Sequence, residues 1–240
     1  MLVPDSYAQD LKMLHLAFYS FYGDARGLRA ELQNRCAELG FGGTLLLASE
    51  GINGVIVGLP DKAEEFAEEI RVRFGCVIKK SWSRGMPFRR MLVKIKKELI
   101  PLGDPAIRPQ ERTGKYIAAK ELKAWFQERK DFTLLDTRNV YEIEYGTFTD
   151  AVHPNLRHFR NFPGALASMD LDRTKPLVMF CTGGIRCEKA SVVAMDQGFQ
   201  EVYQLEGGIF QYFQDVGQDH YSGDCFVFDE RETISPHDMC

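Results

Sequence analysis

The fold of the C-terminal half is decided by the stretch Val178-Met179-Phe180-Cys181-Thr182-Gly183-Gly184-Ile185-Arg186-Cys187-Glu188-Lys189-Ala190-Ser191. It predicts a buried apolar strand, a loop that begins at Cys181, and a helix. The N-terminus of a helix offers unpaired N–H groups and a positive dipole end, which lower the pKa of a thiol placed there. Gly183 and Gly184 let the backbone curl around an anion. The stretch therefore predicts an anion cradle with a nucleophilic sulfur at its base; the alternative is a buried cysteine before an ordinary glycine turn.

Strands and helices alternate around this stretch, over residues 116–216. Such alternation predicts a doubly wound parallel sheet, whose sites lie at the carboxyl ends of the strands. Phe132–Leu135 predicts one such strand, and Asp136-Thr137-Arg138 follows it directly. We expect Asp136 and Arg138 to form a charge pair that braces the Cys181 loop.

The N-terminal half has a different order of elements. Strands are predicted at residues 13–22, 44–48, 55–57 and 76–82, helices at 24–39 and 61–74, and a turn at Gly51-Ile52-Asn53-Gly54. The order β-α-β-β-α-β is that of a ferredoxin-like α+β domain. Prolines and glycines without periodicity mark residues 99–115 as a linker. The predicted organisation is a basic-faced domain at 1–98, this linker, a second domain at 116–216, and an extension at 217–240.

Composition narrows the class of protein. The chain has 240 residues, of which 45% are hydrophobic and 27% charged, as in globular proteins of two domains. The sequence contains no run of 18 apolar residues, so it predicts no transmembrane helix. Residues 1–12 lack the apolar core of a signal peptide. The six cysteines have no disulfide-framework or zinc-site spacing. We therefore expect a reduced, cytoplasmic protein without a metal site or a membrane segment.

One segment departs from the net charge of −4. Residues 76–97 contain no acidic residue, two aromatic residues (Trp82 and Phe88) and eight basic ones: Lys79, Lys80, Arg84, Arg89, Arg90, Lys94, Lys96 and Lys97. Basic side chains attract a phosphate backbone, and interleaved aromatic rings can stack on unpaired bases, as in readers of single-stranded RNA. The segment predicts RNA binding, with a solvated strand face as the alternative.

Three of these motifs together resemble a rhodanese domain: Asp136-Thr137-Arg138 with Glu142, the loop Cys181–Arg186, and Glu206-Gly207-Gly208. Four residues (Thr182, Gly183, Gly184 and Ile185) separate Cys181 from Arg186, which gives the six-residue ring typical of sulfurtransferases. A Cys-x5-Arg phosphatase loop has one residue more and holds a phosphate, whereas a persulfide suits the smaller ring. The phosphatase alternative is therefore the weaker one.

The resemblance extends to the N-terminal half. Four stretches are similar to motifs of the rhodanese-domain tRNA uridine hydroxylases, which belong to the rhodanese-like sulfurtransferase superfamily: Leu47–Gly54, Pro87–Lys94, Lys97–Gly103 and Asp136–Phe148. The resemblance implies an acylphosphatase-like (ferredoxin-like) domain before the rhodanese domain. It also implies an enzyme that uses dioxygen to convert the wobble uridine of tRNA to 5-hydroxyuridine. The family's tail is expected to continue into further cysteine pairs, whereas this sequence ends at Cys240, so a short member and a truncated chain both stay open.

The resemblance and the loop chemistry assign the candidate roles. Cys181 is expected to be the nucleophile or redox centre, and Arg186 to close the loop and stabilise a thiolate or anion, or else to form a salt bridge with a carboxylate. Cys187 resolves an oxidised Cys181 or is a buried helix cysteine. The expected RNA contacts, on tRNA and not DNA, are Lys79, Lys80, Arg84, Arg89, Arg90 and Lys94.

The sequence contains no dinucleotide fingerprint, flavin motif or facial triad. It therefore predicts no cofactor and leaves the source of electrons and the oligomeric state open. Two other functions are compatible with the rhodanese half alone: a sulfurtransferase that acts through a Cys181 persulfide, and a non-catalytic binding module.

Overall fold

A computed structural model of the chain describes residues 11–239 and divides them into two compact units. The first unit contains the residues up to Leu99, Phe228–Arg231 and the segment from His237; the second contains Ile100–Val227 and Glu232–Pro236. Cys240 and the first ten residues, on which the signal-peptide expectation depends, lie outside the described residues. Within residues 11–239, no helix combines the length and the apolar character needed to cross a membrane.

The first unit is a five-stranded sheet with two helices packed on one face. Its elements are β1 (Lys12–Ser20), α1 (Arg29–Glu38), β2 (Gly42–Ala48), β3 (Gly51–Gly58), α2 (Pro60–Phe74), β4 (Lys79–Arg84) and β5 (Met91–Ile95). The strand order is β4-β1-β3-β2-β5, and β5 runs parallel to β2. Alternate residues of β1, such as Leu14 and Leu16, are buried against the helices, as the period of a strand requires. The predicted ferredoxin-like domain is confirmed, and β5 is a strand beyond those predicted.

The turn predicted at residues 51–54 is wrong, because these residues begin β3 and the chain reverses at Ser49-Glu50. Gly54 has a packing role instead. A Cβ on Gly54 would lie 2.5 Å from Cδ2 of Leu45 and 2.7 Å from Cζ of Phe18. The glycine therefore leaves room for two core side chains of the neighbouring strands.

The second unit is built on a parallel sheet. Its elements are β6 (Lys115–Ile117), α3 (Ala119–Gln127), β7 (Thr133–Asp136), α4 (Val140–Ile143), β8 (Gly146–Phe148), α5 (Phe162–Ser168), β9 (Leu177–Phe180), α6 (Ile185–Asp196), β10 (Val202–Leu205), α7 (Gly208–Val216), β11 (Tyr221–Gly223), β12 (Cys225–Phe226) and β13 (Thr233–Ile234). The parallel strands have the order β6-β10-β9-β7. Every residue of β9 is buried, as is typical of a central parallel strand. The predicted parallel sheet of a rhodanese domain is confirmed.

The segment expected to be a linker contributes to the core of the second unit. Leu102 and Ile107 are buried there together with Leu135 and Met179. Their burial fixes the segment on the sheet.

Candidate active site

The sulfur of Cys181 lies at the base of the loop that joins β9 to α6. It accepts hydrogen bonds from the backbone N–H of Gly184, at 3.1 Å, and from that of Arg186. Gly184 has φ +94°, a conformation that glycine adopts without a steric penalty. Cys181 is fully buried, whereas Thr182, Gly183 and Ile185 are half-buried around it. The loop therefore aims backbone N–H groups at the sulfur beneath a partly open rim.

The surroundings of Cys181 favour the thiolate. Burial raises its pKa, but a hydrogen bond from the Cys187 thiol, the positive charge of Arg186 and two backbone N–H groups outweigh burial and lower the pKa to about 5. Burial raises the pKa of Cys187 well above its ordinary value, and the adjacent Cys181 sulfur raises it further. At neutral pH the site therefore holds one thiolate and one thiol in contact.

The Arg186 side chain is directed at Glu142. Its Nη1 lies 2.5 Å from Oε2 of Glu142 and its Nη2 lies 2.7 Å from Oε1, which is a bidentate ion pair. Glu142 is fully buried, and Arg186 is 7% exposed. The expectation that the guanidinium closes the ring around an anion is therefore corrected: the side chain forms the salt bridge. It acts on Cys181 through its charge and its backbone N–H.

Asp136 and Arg138 form the expected charge pair at the end of β7. Nη2 of Arg138 lies 2.6 Å from Oδ2 of Asp136, and both side chains are fully buried. Asp136 also accepts a hydrogen bond from Thr147 at 2.8 Å, and Arg138 donates one to the carbonyl of Gly146 at 2.7 Å. The pair therefore fastens the end of β7 to β8.

The N-terminus of α7 holds the loop from the other side. The N–H of Ile209 donates to the carbonyl of Cys181 at 3.0 Å, and the N–H of Phe210 donates to that of Thr182 at 3.1 Å. A Cβ on Gly208 would lie only 2.4 Å from the Cys181 carbonyl oxygen. Gly207 and Gly208 at the start of α7 indicate in the sequence that another segment comes close to the backbone here, but they do not indicate which segment it is.

Two further residues of the site carry no signal in the sequence that distinguishes them from core residues. Cys225 is fully buried and near Arg138 and Thr182, and burial raises the pKa of its thiol to about 12. Tyr221 donates its hydroxyl to the carbonyl of Gly146 at 2.8 Å. Both lie in the segment after α7, where the sequence shows only an apolar patch.

The basic segment does not form one patch, because β4 and β5 are opposite edges of the sheet in the first unit. Four strand spacings of about 4.8 Å separate these edges by roughly 19 Å. At the β4 edge, Lys79 is 4% exposed with its Nζ 4.6 Å from the centre of the Tyr19 ring, and Nζ of Lys80 lies 2.6 Å from Oε2 of Glu64. Trp82 packs against the hydrophobic core. The expected phosphate contact at Lys79 and the stacking role of Trp82 are corrected accordingly, whereas the Lys80 side chain is partly exposed and its phosphate contact stays a prediction.

Within the basic segment 76–97, most of the exposed cations lie at or next to the β5 edge. Arg90, Lys94, Lys96 and Lys97 are exposed there, and no ion pair is found for them within the described part of the chain. Arg89 is 93% exposed, and its Nε lies 3.5 Å from Oε1 of Glu230. Arg84 is exposed at the other edge. We call Arg90, Lys94, Lys96 and Lys97 the β5-edge cations.

Comparisons with known proteins place both halves of the chain. The UPF0176 acylphosphatase like domain matches residues 13–99, and the Rhodanese-like domain matches residues 118–215. A tRNA uridine(34) hydroxylase of Variovorax paradoxus (strain S110) is 44% identical over 236 residues, which cover 94% of this chain and 90% of the relative. Proteins of the same name from Cupriavidus necator and Burkholderia lata are 41% and 44% identical, over 95% and 84% of this chain and 84% and 76% of their own lengths.

Proposed function

The chain belongs to the tRNA uridine(34) hydroxylase family, and from this membership we propose that it hydroxylates the wobble uridine of tRNA to 5-hydroxyuridine. The observation that carries the proposal is the match along both domains, combined with an activated thiol at the rhodanese loop. Dioxygen is the proposed oxygen donor and tRNA the proposed partner. The proposed compartment is the cytoplasm, where tRNA and reduced thiols occur together.

In the proposed reaction, the Cys181 thiolate adds to C6 of the uracil ring. The negative charge then resides on O4 and C5, and C5 becomes electron-rich enough to react with dioxygen. The lowered pKa of Cys181 supports this role because the thiolate is the nucleophilic form of cysteine. The N–H groups of Gly184 and Arg186 stabilise the same sulfur when it leaves C6 and becomes a thiolate again.

We assign the tRNA backbone to the β5-edge cations. Exposed Lys and Arg side chains neutralise phosphates and release condensed counterions, which gives affinity without sequence preference. The exposure of Arg90, Lys94, Lys96 and Lys97 and their freedom from ion pairs within residues 11–239 support this assignment. Lys79 is not part of this surface, because its side chain is buried. Lys80 lies at the opposite edge of the sheet and is paired with Glu64.

The experiment is a nucleoside analysis of tRNA from cells that lack this protein. We expect 5-hydroxyuridine and its derivatives to fall, to return with the wild-type protein, and to stay low with a Cys181→Ser protein. Unchanged 5-hydroxyuridine derivatives would overturn the proposal. If the purified protein then released thiocyanate from thiosulfate and cyanide, sulfur transfer would be the function instead.

A further inference from the structure

We propose that Cys181 and Cys187 act as a redox-active dithiol that supplies the two electrons required by the hydroxylation; this inference rests on the proposed function. It assigns a role to Cys187 and a source to the reducing equivalents. The observations that carry it are the contact between the two sulfurs, their shared burial and the electron balance of the reaction.

The turn at the start of α6 brings the side chain of Cys187 next to that of Cys181. The N–H of Cys187 donates to the carbonyl of Gly184 at 3.0 Å, which turns the chain into α6. The Cys187 thiol is hydrogen-bonded to the Cys181 sulfur, and both residues are fully buried. Formation of an S–S bond requires two sulfurs that lie close together, and the hydrogen bond between these two side chains makes them neighbours.

Thr137 fixes the second sulfur from the neighbouring strand. Its Oγ1 lies 3.7 Å from Sγ of Cys187 and donates its proton to the carbonyl of Phe180 at 2.9 Å. With that proton committed, the hydroxyl oxygen is left to accept, and the Cys187 thiol has two acceptors, Thr137 and the Cys181 thiolate. The position of Cys187 is therefore set by its neighbours as well as by the helix.

The protonation states suit the two roles. Cys181 has a lowered pKa and Cys187 a raised one, so the first is the nucleophile and the second carries a proton. Burial raises the pKa of Cys36, Cys76 and Cys225 to between about 11 and about 12. Those three thiols stay protonated at neutral pH and are poor nucleophiles.

The electrons and atoms balance with two thiols. Uridine, dioxygen and two thiols give 5-hydroxyuridine, water and one disulfide. C5 gives up one electron pair and the two sulfurs give up the other, and together the pairs reduce dioxygen fully. The two thiol hydrogens leave in the water.

The steps follow the positions of the sulfurs. After Cys181 has added to C6, the charge at C5 takes up dioxygen as a C5 peroxide. The peroxide anion takes the proton of the Cys187 thiol, and the Cys187 thiolate formed in this way attacks the outer oxygen. The O–O bond breaks, Cys187 becomes a sulfenic acid, and the oxygen that stays on C5 takes up a proton to become a hydroxyl group. Loss of the C5 proton and of the C6–S bond releases 5-hydroxyuridine and the Cys181 thiolate. That thiolate attacks the Cys187 sulfenic acid, forms the disulfide and expels hydroxide, which is protonated to water. A small-molecule thiol or a dithiol protein then reduces the disulfide by exchange.

The test is a single-turnover reaction with the full chain. Reduced protein, freed of added thiol without air, is mixed with tRNA that carries unmodified uridine at the wobble position, and air-saturated buffer starts the reaction. Denaturation in N-ethylmaleimide stops it. Mass spectrometry then counts 5-hydroxyuridine in the tRNA and free or disulfide-bonded cysteines in the peptides.

We expect about one 5-hydroxyuridine and one Cys181–Cys187 disulfide for each protein, with further turnovers only when dithiothreitol is present. Without tRNA the disulfide should form far more slowly. In thiol-free buffer, Cys187→Ser should lower the yield about tenfold or more, whereas Cys36→Ser, which alters a fully buried cysteine of the first unit, should leave it unchanged.

Three outcomes overturn the inference. If 5-hydroxyuridine forms while Cys181 and Cys187 are both still alkylated by N-ethylmaleimide, the dithiol is not the electron source, and the proposed function still holds. Equal rates of disulfide formation with and without tRNA uncouple the pair from hydroxylation. A wild-type protein that makes no 5-hydroxyuridine even with dithiothreitol and air removes the proposed function, and the inference with it.

Discussion

Glu142 supports the Cys181 loop through its ion pair with Arg186. Its carboxylate holds the Arg186 guanidinium in two hydrogen bonds, and it also accepts the N–H of Asn139 at 3.0 Å, which caps α4. Burial raises the pKa of Glu142, but the charge of Arg186 and these hydrogen bonds outweigh it and keep the group ionised. One carboxylate therefore connects a helix cap to the loop around the thiol.

We predict that Glu142→Gln lowers the free energy of unfolding by about 3–5 kcal/mol, because the change leaves the buried guanidinium without its counter-charge. Urea denaturation measures this loss. Glu144→Gln, an exposed change at the C-terminus of the same helix, should alter the value by less than about 0.5 kcal/mol. Equal effects of the two changes would show that the buried pair is not a main support of the fold.

The charge state of Cys181 gives a second prediction at this scale. Iodoacetamide alkylates thiolates, so the rate at Cys181 should be nearly constant from pH 8 to pH 6 and should fall as the pH drops through about 5. In denaturant the same cysteine should lose its reactivity near the ordinary pKa of about 8.5. A native profile with its midpoint near that ordinary value would contradict the account of an activated thiol.

Among the elements, the strand-loop-helix unit from β9 to α6 is predictable from the sequence because every signal is local. Four apolar residues, a cysteine, two glycines and a helical pattern lie next to one another. The elements that local patterns miss depend on distant partners. Gly51-Ile52-Asn53-Gly54 has the composition of a turn but pairs with β1 and β2, and β5 is a five-residue strand at the edge of the sheet.

The parts of the site that the sequence leaves open are also distant in the chain. Glu142 lies 44 positions from Arg186, and no pattern within the Cys181 loop indicates which carboxylate the guanidinium binds. Gly208 follows another strand, and its contact with the Cys181 carbonyl exists only in the folded sheet. The chemistry of the loop can therefore be predicted from neighbouring residues in the sequence, whereas the contacts that hold the loop in place form only in the tertiary structure.

The contact between α7 and the loop gives a prediction at the element scale. Gly208 has φ +67° and no room for a Cβ beside the Cys181 carbonyl, whereas Gly75 has φ +64° and open space. Both Gly→Ala changes should cost about 1–2 kcal/mol of unfolding free energy through the left-handed backbone. Gly208→Ala should in addition lower 5-hydroxyuridine formation by roughly tenfold to a hundredfold, since the loop must shift.

The measurement compares the initial rates of 5-hydroxyuridine formation by the two variants with that of the wild type. Gly75→Ala serves as the matched control and should retain the wild-type rate. A Gly208→Ala protein as active as the control would show that α7 does not position the loop.

For the binding of a phosphate backbone, the distribution of charge over the molecule matters more than the net charge. The chain carries a net charge of −4, yet four exposed cations, Arg90, Lys94, Lys96 and Lys97, lie together at one sheet edge of the first unit. Ion pairs cover the helices of that unit, for example Arg71 with Glu68 and Arg35 with Glu69. An acidic protein can therefore still present a local surface to a phosphate backbone.

We predict that a triple change of Arg90, Lys94 and Lys97 to Gln weakens tRNA binding and lowers the slope of log K against log salt by about 2–3, since each phosphate contact contributes about 0.7–0.9. Fluorescence anisotropy at several salt concentrations measures both quantities. A triple change of Lys62, Arg71 and Lys120 to Gln removes the same charge from other exposed positions and should leave the slope nearly unchanged. Equal slopes for the two triple variants would contradict the assigned surface.

The most direct test of the central claim, that the Cys181 thiolate of this chain hydroxylates the wobble uridine, is a reaction with purified components. Purified protein, unmodified tRNA, dithiothreitol and dioxygen labelled with oxygen-18 are incubated together, and the nucleosides of the anticodon fragment are analysed by mass spectrometry. The account predicts a wobble uridine heavier by one oxygen atom, derived from labelled dioxygen, with the wild-type protein and none with Cys181→Ser. An unlabelled oxygen in the product, or equal product from the Cys181→Ser protein, would contradict it.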